Sequence, residues 1–428
     1  MRAPTGVPLA VVLVLSLFTF FSPAHAQRIT LTPSISVSET YDDNIYLDPQ
    51  NERSDYITAV SPGIALNMKE SQRELVLSYV PSFVFYGKNS EENTTRHLGN
   101  ITYRQDIERH LRFELTDTYV RSEDPLETTE GVETVRRTRN PYQRNTGEAR
   151  MTYLFGPEDK FTAGYRNDLL INEDPSIEDG TIHEPFIDLA KWFDKWHGMG
   201  FSYRYSVGEF SRDDGRINQS DYTGHDPAIR YMHRWSQQLS GFVSYAYSTR
   251  DFDQSTFRED YDVHTAMIGG EKQFSPQSSL SAEVGYFVQD ADRSENENGL
   301  SYRVMYRQGY QRARFLVGVS GGWDEQYLEA ESRGFVRYRS YEASGEYQFL
   351  ERLSGYAGGL YREDRYQQNN VETDSLRANA GIRWAFHRYL SLMFDYTYST
   401  RESDDPGDEY DVNRFMVVLT GSKPYQWQ

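Results

Sequence analysis

The chain has 428 residues, 14% of them aromatic with 33 Tyr and 23 Phe, yet its mean hydropathy is −0.73 and no long apolar run follows the first two dozen residues, which excludes helical membrane spans. It has no cysteine, so disulfide, thiolate and lipoprotein chemistry are excluded. A formal net charge of −19 argues against nucleic acid as a partner.

The chain opens with Met1-Arg2, an apolar run over residues 7–21, and small residues at Ala24 and Ala26 before Gln27. This pattern predicts a secretory signal peptide over residues 1–26 and a single domain over residues 27–428. The apolar run is too short to span a bilayer comfortably, which weighs against a retained anchor.

The first expected strand carries Ile29, Leu31, Pro33, Ile35 and Val37 on one face, and a long polar segment over residues 42–55 follows. The second aligns Val60, Pro62, Ile64 and Leu66, and the third Leu75, Leu77, Tyr79, Pro81, Phe83 and Phe85, with only residues 69–72 between them. A period of two means half-buried strands, because side chains alternate across a pleated strand. Pro62 and Pro81 each remove a ladder bond, and since a closed barrel has no edge they are expected at bulges.

The pattern continues with short connections near Glu108, residues 156–159, Asp194, Ser236, residues 275–277, Gly309, Glu351 and Arg388. Between them lie long connections rich in Asp, Glu, Asn and Ser, at residues 87–94, 122–141, 174–180, 212–220, 251–259, 290–298, 324–333, 363–374 and 401–409. Short connections recur roughly every forty residues, the length of one barrel hairpin with its loop. The hairpin at residues 376–398 shows the rule: Leu376, Ala378, Ala380, Ile382, Trp384 and Phe386 alternate with Arg377, Asn379, Gly381 and Arg383. In a soluble sandwich the apolar face is the core, whereas in a membrane barrel it meets lipid and the polar face lines a lumen. A hydrophilic chain rich in aromatics decides for lipid. The last apolar face is Phe415, Val417 and Leu419, and residues 421–424 interrupt the pattern before Tyr425 and Trp427.

The expected fold is therefore all-β, a transmembrane antiparallel β-barrel of about twenty strands, with eighteen and twenty-two as neighbouring counts. An even count and delivery from the periplasm put both termini and the short turns in the periplasm, with the acidic loops outside.

The residues Pro33-Ser34-Ile35-Ser36-Val37-Ser38-Glu39-Thr40-Tyr41-Asp42-Asp43-Asn44-Ile45, with Ser54-Asp55-Tyr56 and Ser61-Pro62-Gly63-Ile64-Ala65-Leu66, resemble the opening of the second family of putative beta-barrel porins. These are outer-membrane barrels of Gram-negative bacteria, often associated with exopolysaccharide systems. The resemblance implies transport or export, with polysaccharide-export components as partners, and carries over no catalytic residue.

By alternation the lumen face should hold Arg104, Arg112, Arg150, Arg166, Arg204, Arg230, Arg303, Arg307, Arg314, Arg377, Arg383 and Arg414. Facing them are Glu114, Glu148, Asp168, Asp226, Glu283, Asp324, Glu342, Glu346 and Asp395. Two readings stay open: cross-lumen ion pairs that stiffen the wall, or a basic track for anionic solute or sugar polymer. Tyr338 and Tyr356 on the same face offer rings for sugars to stack on, or simply fill space. The longest connection, residues 122–141, runs from acidic (Glu123, Asp124) to basic (Arg136, Arg137, Arg139); either it folds into the lumen as a constriction loop or it stays on the surface.

Asp42-Asp43-Asn44 and Asp404-Asp405 lack the spacing of a calcium loop and read as solvated turns, so neither metal nor cofactor is expected. His97, His183, His225 and His264 fall near external strand ends, and His110, His197, His233 and His387 at short turns, with no nucleophile motif beside them, so no enzyme is expected. Lipid, lipopolysaccharide bridged to the acidic loops by divalent cations, and the barrel-assembly machinery are the other expected partners. The expected function is an outer-membrane pore serving exopolysaccharide export or passage of polar and anionic solutes. A general diffusion porin and a structural barrel are the alternatives.

Overall fold

The computed structural model describes residues 28–129, 132–136, 138–212, 221–253, 258–329, 331, 333–367 and 370–427. The expected signal peptide and Arg137 lie outside them. The chain forms β1 (Arg28–Asp42), β2 (Asp55–Lys69), β3 (Arg73–Tyr86), β4 (Thr94–Glu108), β5 (Leu111–Ser122), β6 (Leu126–Thr129), β7 (Val132–Val135) and β8 (Tyr142–Leu154). There follow β9 (Lys160–Asn172), β10 (Asp179–Trp192), β11 (His197–Ser211), β12 (Tyr222–Ser236), β13 (Leu239–Phe252), β14 (Tyr261–Ser275), β15 (Ser278–Ala291) and β16 (Asn298–Gly309). The last are β17 (Ala313–Gln326), β18 (Gly334–Leu350), β19 (Leu353–Tyr366), β20 (Glu372–His387), β21 (Leu390–Ser403), β22 (Tyr410–Ser422) and β23 (Tyr425–Trp427).

β1 to β5 and β8 to β22 each pair antiparallel with the next strand of this series, β5 with β8, and β1 pairs with β22, so the sheet closes into a 20-strand barrel. β23 continues the last stave beyond Lys423 and Pro424 in unchanged register, with Leu31 opposite Tyr425 and Ile29 opposite Trp427. β6 and β7 form a separate hairpin inside the connection between β5 and β8. Among the described residues no helix is long and apolar enough to cross a membrane.

Alternation sets the two faces. Ile382 and Trp384 of β20 are 47% and 48% exposed on the outer wall, while Thr373 and Ser375, two and more pleats away on the other face, are buried inside. A one-residue slip would turn Arg377 and Arg383 toward lipid, at about 2–4 kcal/mol for each such arginine near the midplane, so the register is strongly specified.

The prolines do not sit at bulges. Pairing between β2 and β3 lapses from Val60 to Ile64, around Pro62 and Pro81, and resumes in the same register. The same occurs at Pro185 between β10 and β11, and at Pro227 between β12 and β13. Each proline keeps its pairing on one side, so the barrel loses ladder bonds on the other without shifting register.

One hairpin leaves the cylinder. Gly322 has φ +155°, where a Cβ would lie 3.0 Å from the Ser301 hydroxyl. Beyond it the Trp323 indole N–H donates to the Thr265 hydroxyl at 3.1 Å, and Trp323 stacks on Phe335 at 5.8 Å. The ends of β17 and β18 thus bend over the lumen toward β14.

Candidate functional site

Two long connections run into the lumen from different sides. The first, L3, comprises residues 123–141 between β5 and β8. Its stem is held by Glu123, which accepts two hydrogen bonds from Arg96 at 2.6 and 3.0 Å and one from the Tyr86 hydroxyl at 2.7 Å. Arg139 donates to the Tyr86 hydroxyl and to the Ile45 carbonyl. Asp124 meets Arg414 of β22 bidentately, both contacts at 3.0 Å, while Arg414 Nε reaches Asp42 at 2.8 Å. Farther along, Glu133 approaches Arg377 of β20 at 3.3 Å and its carbonyl accepts from Arg401 of β21 at 2.7 Å. Leu126 and Val135 pack with Leu47, Tyr410 and Val412. L3 therefore spans the lumen from its own stave to β20, β21 and β22.

The second, L8, comprises residues 327–333 between β17 and β18. Tyr327 and Leu328 enter an apolar cluster on the inner wall with Tyr142, Leu170, Phe210, Tyr222, Phe252 and Tyr261. Gly334, at φ +80°, makes the return; a Cβ there would meet the Arg258 guanidinium. The two loops touch at Arg144 of β8, which pairs with Glu127 of L3 at 2.6 Å and Glu329 of L8 at 3.2 Å. Arg136 pairs with Glu127 at 2.5 Å and lies over the Tyr142 ring at 3.6 Å. On the far side Glu331 of L8 meets Arg401 at 2.9 Å.

Enclosure sets the charge states of these loop carboxyls. Burial raises the Asp124 carboxyl, but Arg414, Arg139 and Arg96 outweigh it and hold it well below the usual carboxylate range. Glu123 and Glu127 are lowered in the same way, against burial, by Arg96 and by Arg136 with Arg144 respectively. At Glu329 burial wins over Arg144, with Glu127 adding repulsion, and the carboxyl is pushed up to about 7.

Beneath the loops, two basic recesses open on the lumen wall. One, of about 690 Å³, is lined by Arg112, Arg150, Arg204, Arg230, Lys160 and Phe186, with Glu114 and Asp188. The other, of about 590 Å³ on the facing wall, has Arg307, Arg314, Arg383, Glu346, Tyr356 and Asn379. Arg150 pairs with Glu114 at 2.9 Å, Arg112 with Asp106 at 2.7 Å, Arg204 with Glu184 at 3.5 Å and Arg314 with Glu346 at 3.0 Å. These partners sit on the same or an adjacent strand rather than across the lumen. Arg230, Arg303 and Arg307 have no ion pair among the described residues, and Arg230 lies over the Phe242 ring at 4.1 Å. Arg104 and Arg166 stand on the wall outside the recesses, paired with Asp106 and Asp168. Arg377 and Arg414 are occupied by L3.

Arg383 lies over Tyr356 at 4.2 Å and Arg362 over Tyr338 at 4.3 Å, so a guanidinium covers one face of each ring. The Asp42–Asn44 run is engaged in the fold: Asp42 holds Arg414 and the Asn44 N–H, and Asp43 holds the Asn413 side chain at 2.8 Å. Among the described residues no cluster of His, Asp and Glu has the arrangement to hold a metal ion.

Several lumen arginines escape a sequence reading that stops short of the strand ends. Arg96, Arg144, Arg250, Arg362 and Arg401 continue the inner face at the long-loop end, where Arg250 binds Asp226 at 3.0 Å and Glu325 at 2.8 Å. Extending the alternation to the strand ends would have found them. L8 carries no such signal, because its length and composition match the other loops.

No curated protein matches this chain. Among solved structures it is similar to OccAB4 of Acinetobacter baumannii (8% identity, TM-score 0.42, 93% of this chain and 98% of that one). It is likewise similar to OpdQ of Pseudomonas aeruginosa (11%, 0.44, 94% and 98%) and to OccK5 (OpdH) of the same organism (12%, 0.44, 93% and 98%). The family model described as putative beta-barrel porin 2 matches residues 28–176 and 208–423, most of the length of the closed barrel, and the chain belongs to that family.

Proposed function

We propose that this barrel is an outer-membrane pore for small anionic solutes, with L3 and L8 as its external constriction and the arginines beneath them as the anion-selective wall. The observation that carries this reading is the contrast in pairing within one lumen. Arg230, Arg303 and Arg307 stand exposed without a carboxylate, although carboxylates are abundant on the same wall. A wall needed only for rigidity would pair them; exposed guanidinium groups in an aqueous pore attract and select anions. Signal-peptide cleavage after Ala26, periplasmic termini and surface-exposed acidic loops belong to the same proposal.

Export of an acidic polysaccharide is the second reading, supported by the family resemblance. It has weaker physical support, because an arginine already covers one face of each of Tyr338 and Tyr356 and two loops cross the mouth. Planar-bilayer reversal potentials in a salt gradient test the main reading. Wild type should be anion-selective, and Arg150→Ala, Arg204→Ala and Arg230→Ala combined should shift the potential toward cation preference. A cation-selective wild type would overturn it. Block by an acidic glycan but not by its monosaccharide, together with lost surface polysaccharide on deletion, would favour the export reading.

A further inference from the structure

The outer wall carries a repeated side-chain arrangement. In seven hairpins an outward tyrosine of the strand running toward the external loops hydrogen-bonds diagonally to the next strand. The pairs are Tyr79–His97 at 2.7 Å, Tyr119–Gln143 at 3.0 Å, Tyr165–His183 at 2.6 Å and Tyr203–His225 at 2.7 Å. Tyr245–His264 at 2.7 Å, Tyr286–Asn298 at 2.5 Å and Tyr396–Asn413 at 2.7 Å complete them. The geometry is shared: each tyrosine faces the residue two positions on from its partner, as Tyr165 faces Pro185 and Tyr245 faces Ala266. Within the barrel such diagonal neighbours lie about 7–8 Å apart by Cα, within reach of an aromatic ring.

The shared position argues for one imidazole tautomer across this repeat. In the Gln and Asn hairpins the partner atom is a carbonyl oxygen, so the diagonal position is an acceptor and the phenol is the donor. Nδ1 occupies that position in all four histidine hairpins, and at His183 the Asn167 amide also points an N–H at Nδ1, at 3.2 Å. With Nδ1 accepting, the ring proton is on Nε2. These four Nε2–H groups have no partner among the described residues. They stand on the outward face, three or four residues from the external end of each strand. His183, His225 and His264 lie on successive hairpins, roughly 10 Å apart at two strand spacings each.

We propose that the Nε2–H groups of His97, His183, His225 and His264 form a belt that binds the phosphorylated headgroups of outer-leaflet lipid. Below this level the wall is apolar, with Ile187, Ile229, Val243 and Ile268 exposed; above it stand the acidic loops. A donor fixed between an apolar wall and a hydrated loop layer faces the plane where lipid phosphates lie, and a hydrogen bond to a charged acceptor is the strong kind. The belt depends on the barrel facing lipid and is independent of what crosses the lumen.

The test uses the full chain folded in phosphate-free dodecyl maltoside micelles doped with diphosphorylated lipid A or with its dephosphorylated form. The four belt imidazoles should be protected from diethyl pyrocarbonate by the phosphorylated lipid alone, with His197, His233 and His387 at the short turns as internal controls. His97→Phe, His183→Phe, His225→Phe and His264→Phe combined keep the ring area. By native mass spectrometry this variant should retain phosphorylated lipid about tenfold less well than wild type. Equal protection by both lipids, or undiminished retention by the variant, would overturn the belt. Protection is read on the wild-type chain, so the outcome stands even if the variant does not fold.

Discussion

The half of the lumen beside the long loops and the half beside the short turns are lined by the same residue types and differ in what surrounds them. On the long-loop side, Arg136 and Arg401 are each 1% exposed and locked against carboxylates and aromatic rings by L3 and L8. On the short-turn side Arg314 is 79% exposed though its pair with Glu346 is 3.0 Å long. Contact distance alone therefore does not measure what an ion pair contributes. Enclosure does: a buried pair that loses one partner leaves a desolvated charge, whereas a wet pair exchanges its partner for water.

The largest expected break in that contrast is Glu123→Ala. It strands Arg96 and Arg139 beside the stem of L3, at about 3–5 kcal/mol for a buried pair that loses one member. L3 should detach, giving faster protease cleavage within residues 122–141 and a larger single-channel conductance. Unchanged conductance would mean that L3 does not narrow the pore. Leu328→Ala should act similarly on L8, at about 2–5 kcal/mol for a buried Leu truncated within an apolar cluster, and should be read as raised conductance with the barrel itself intact on an unheated gel.

A pH titration sharpens the comparison, since Glu329 of the enclosed half is a loop carboxyl whose proton affinity is raised by burial. The Glu329 carboxyl is pushed up to about 7, above its unfolded value, so the protonated form is favoured in the docked loop. Its contribution is complete below the unfolded pKa and is lost as pH rises through about 7. Docking of L8 should thus be tighter at mildly acidic pH, with conductance rising between about pH 4.5 and 7. Glu329→Gln should remove that rise. Glu123, Asp124 and Glu127 are shifted the opposite way, so their anchorage holds above their ordinary range and fails as pH drops below it. A second conductance increase in strong acid is expected, and it should persist in Glu329→Gln.

On the short-turn side the effects should be on ions rather than on folding. Arg230→Ala should reduce anion selectivity while changing stability by less than about 0.5 kcal/mol. Arg314→Ala should change stability by about 0–1 kcal/mol, as for a solvent-exposed pair. A loss comparable to that of Glu123→Ala would show that the two halves are not energetically distinct.

The strands and the order of short and long connections were legible in the sequence, because a period of two is a local property of the backbone. Residues 376–398 suffice to read it, and the same alternation assigns Arg104 and Arg383 alike to the inner face. Only the tertiary structure decided where L3 and L8 go, that Gly322 turns a hairpin inward, and that Tyr425 and Trp427 resume the last stave after Pro424. It alone separated the enclosed Arg401 from the exposed Arg314, and brought Tyr165 to His183 along a shared diagonal. These features depend on staves far apart in sequence meeting around a closed circumference. Alternation states which side of the wall a side chain occupies; what it meets there is set by closure of the barrel.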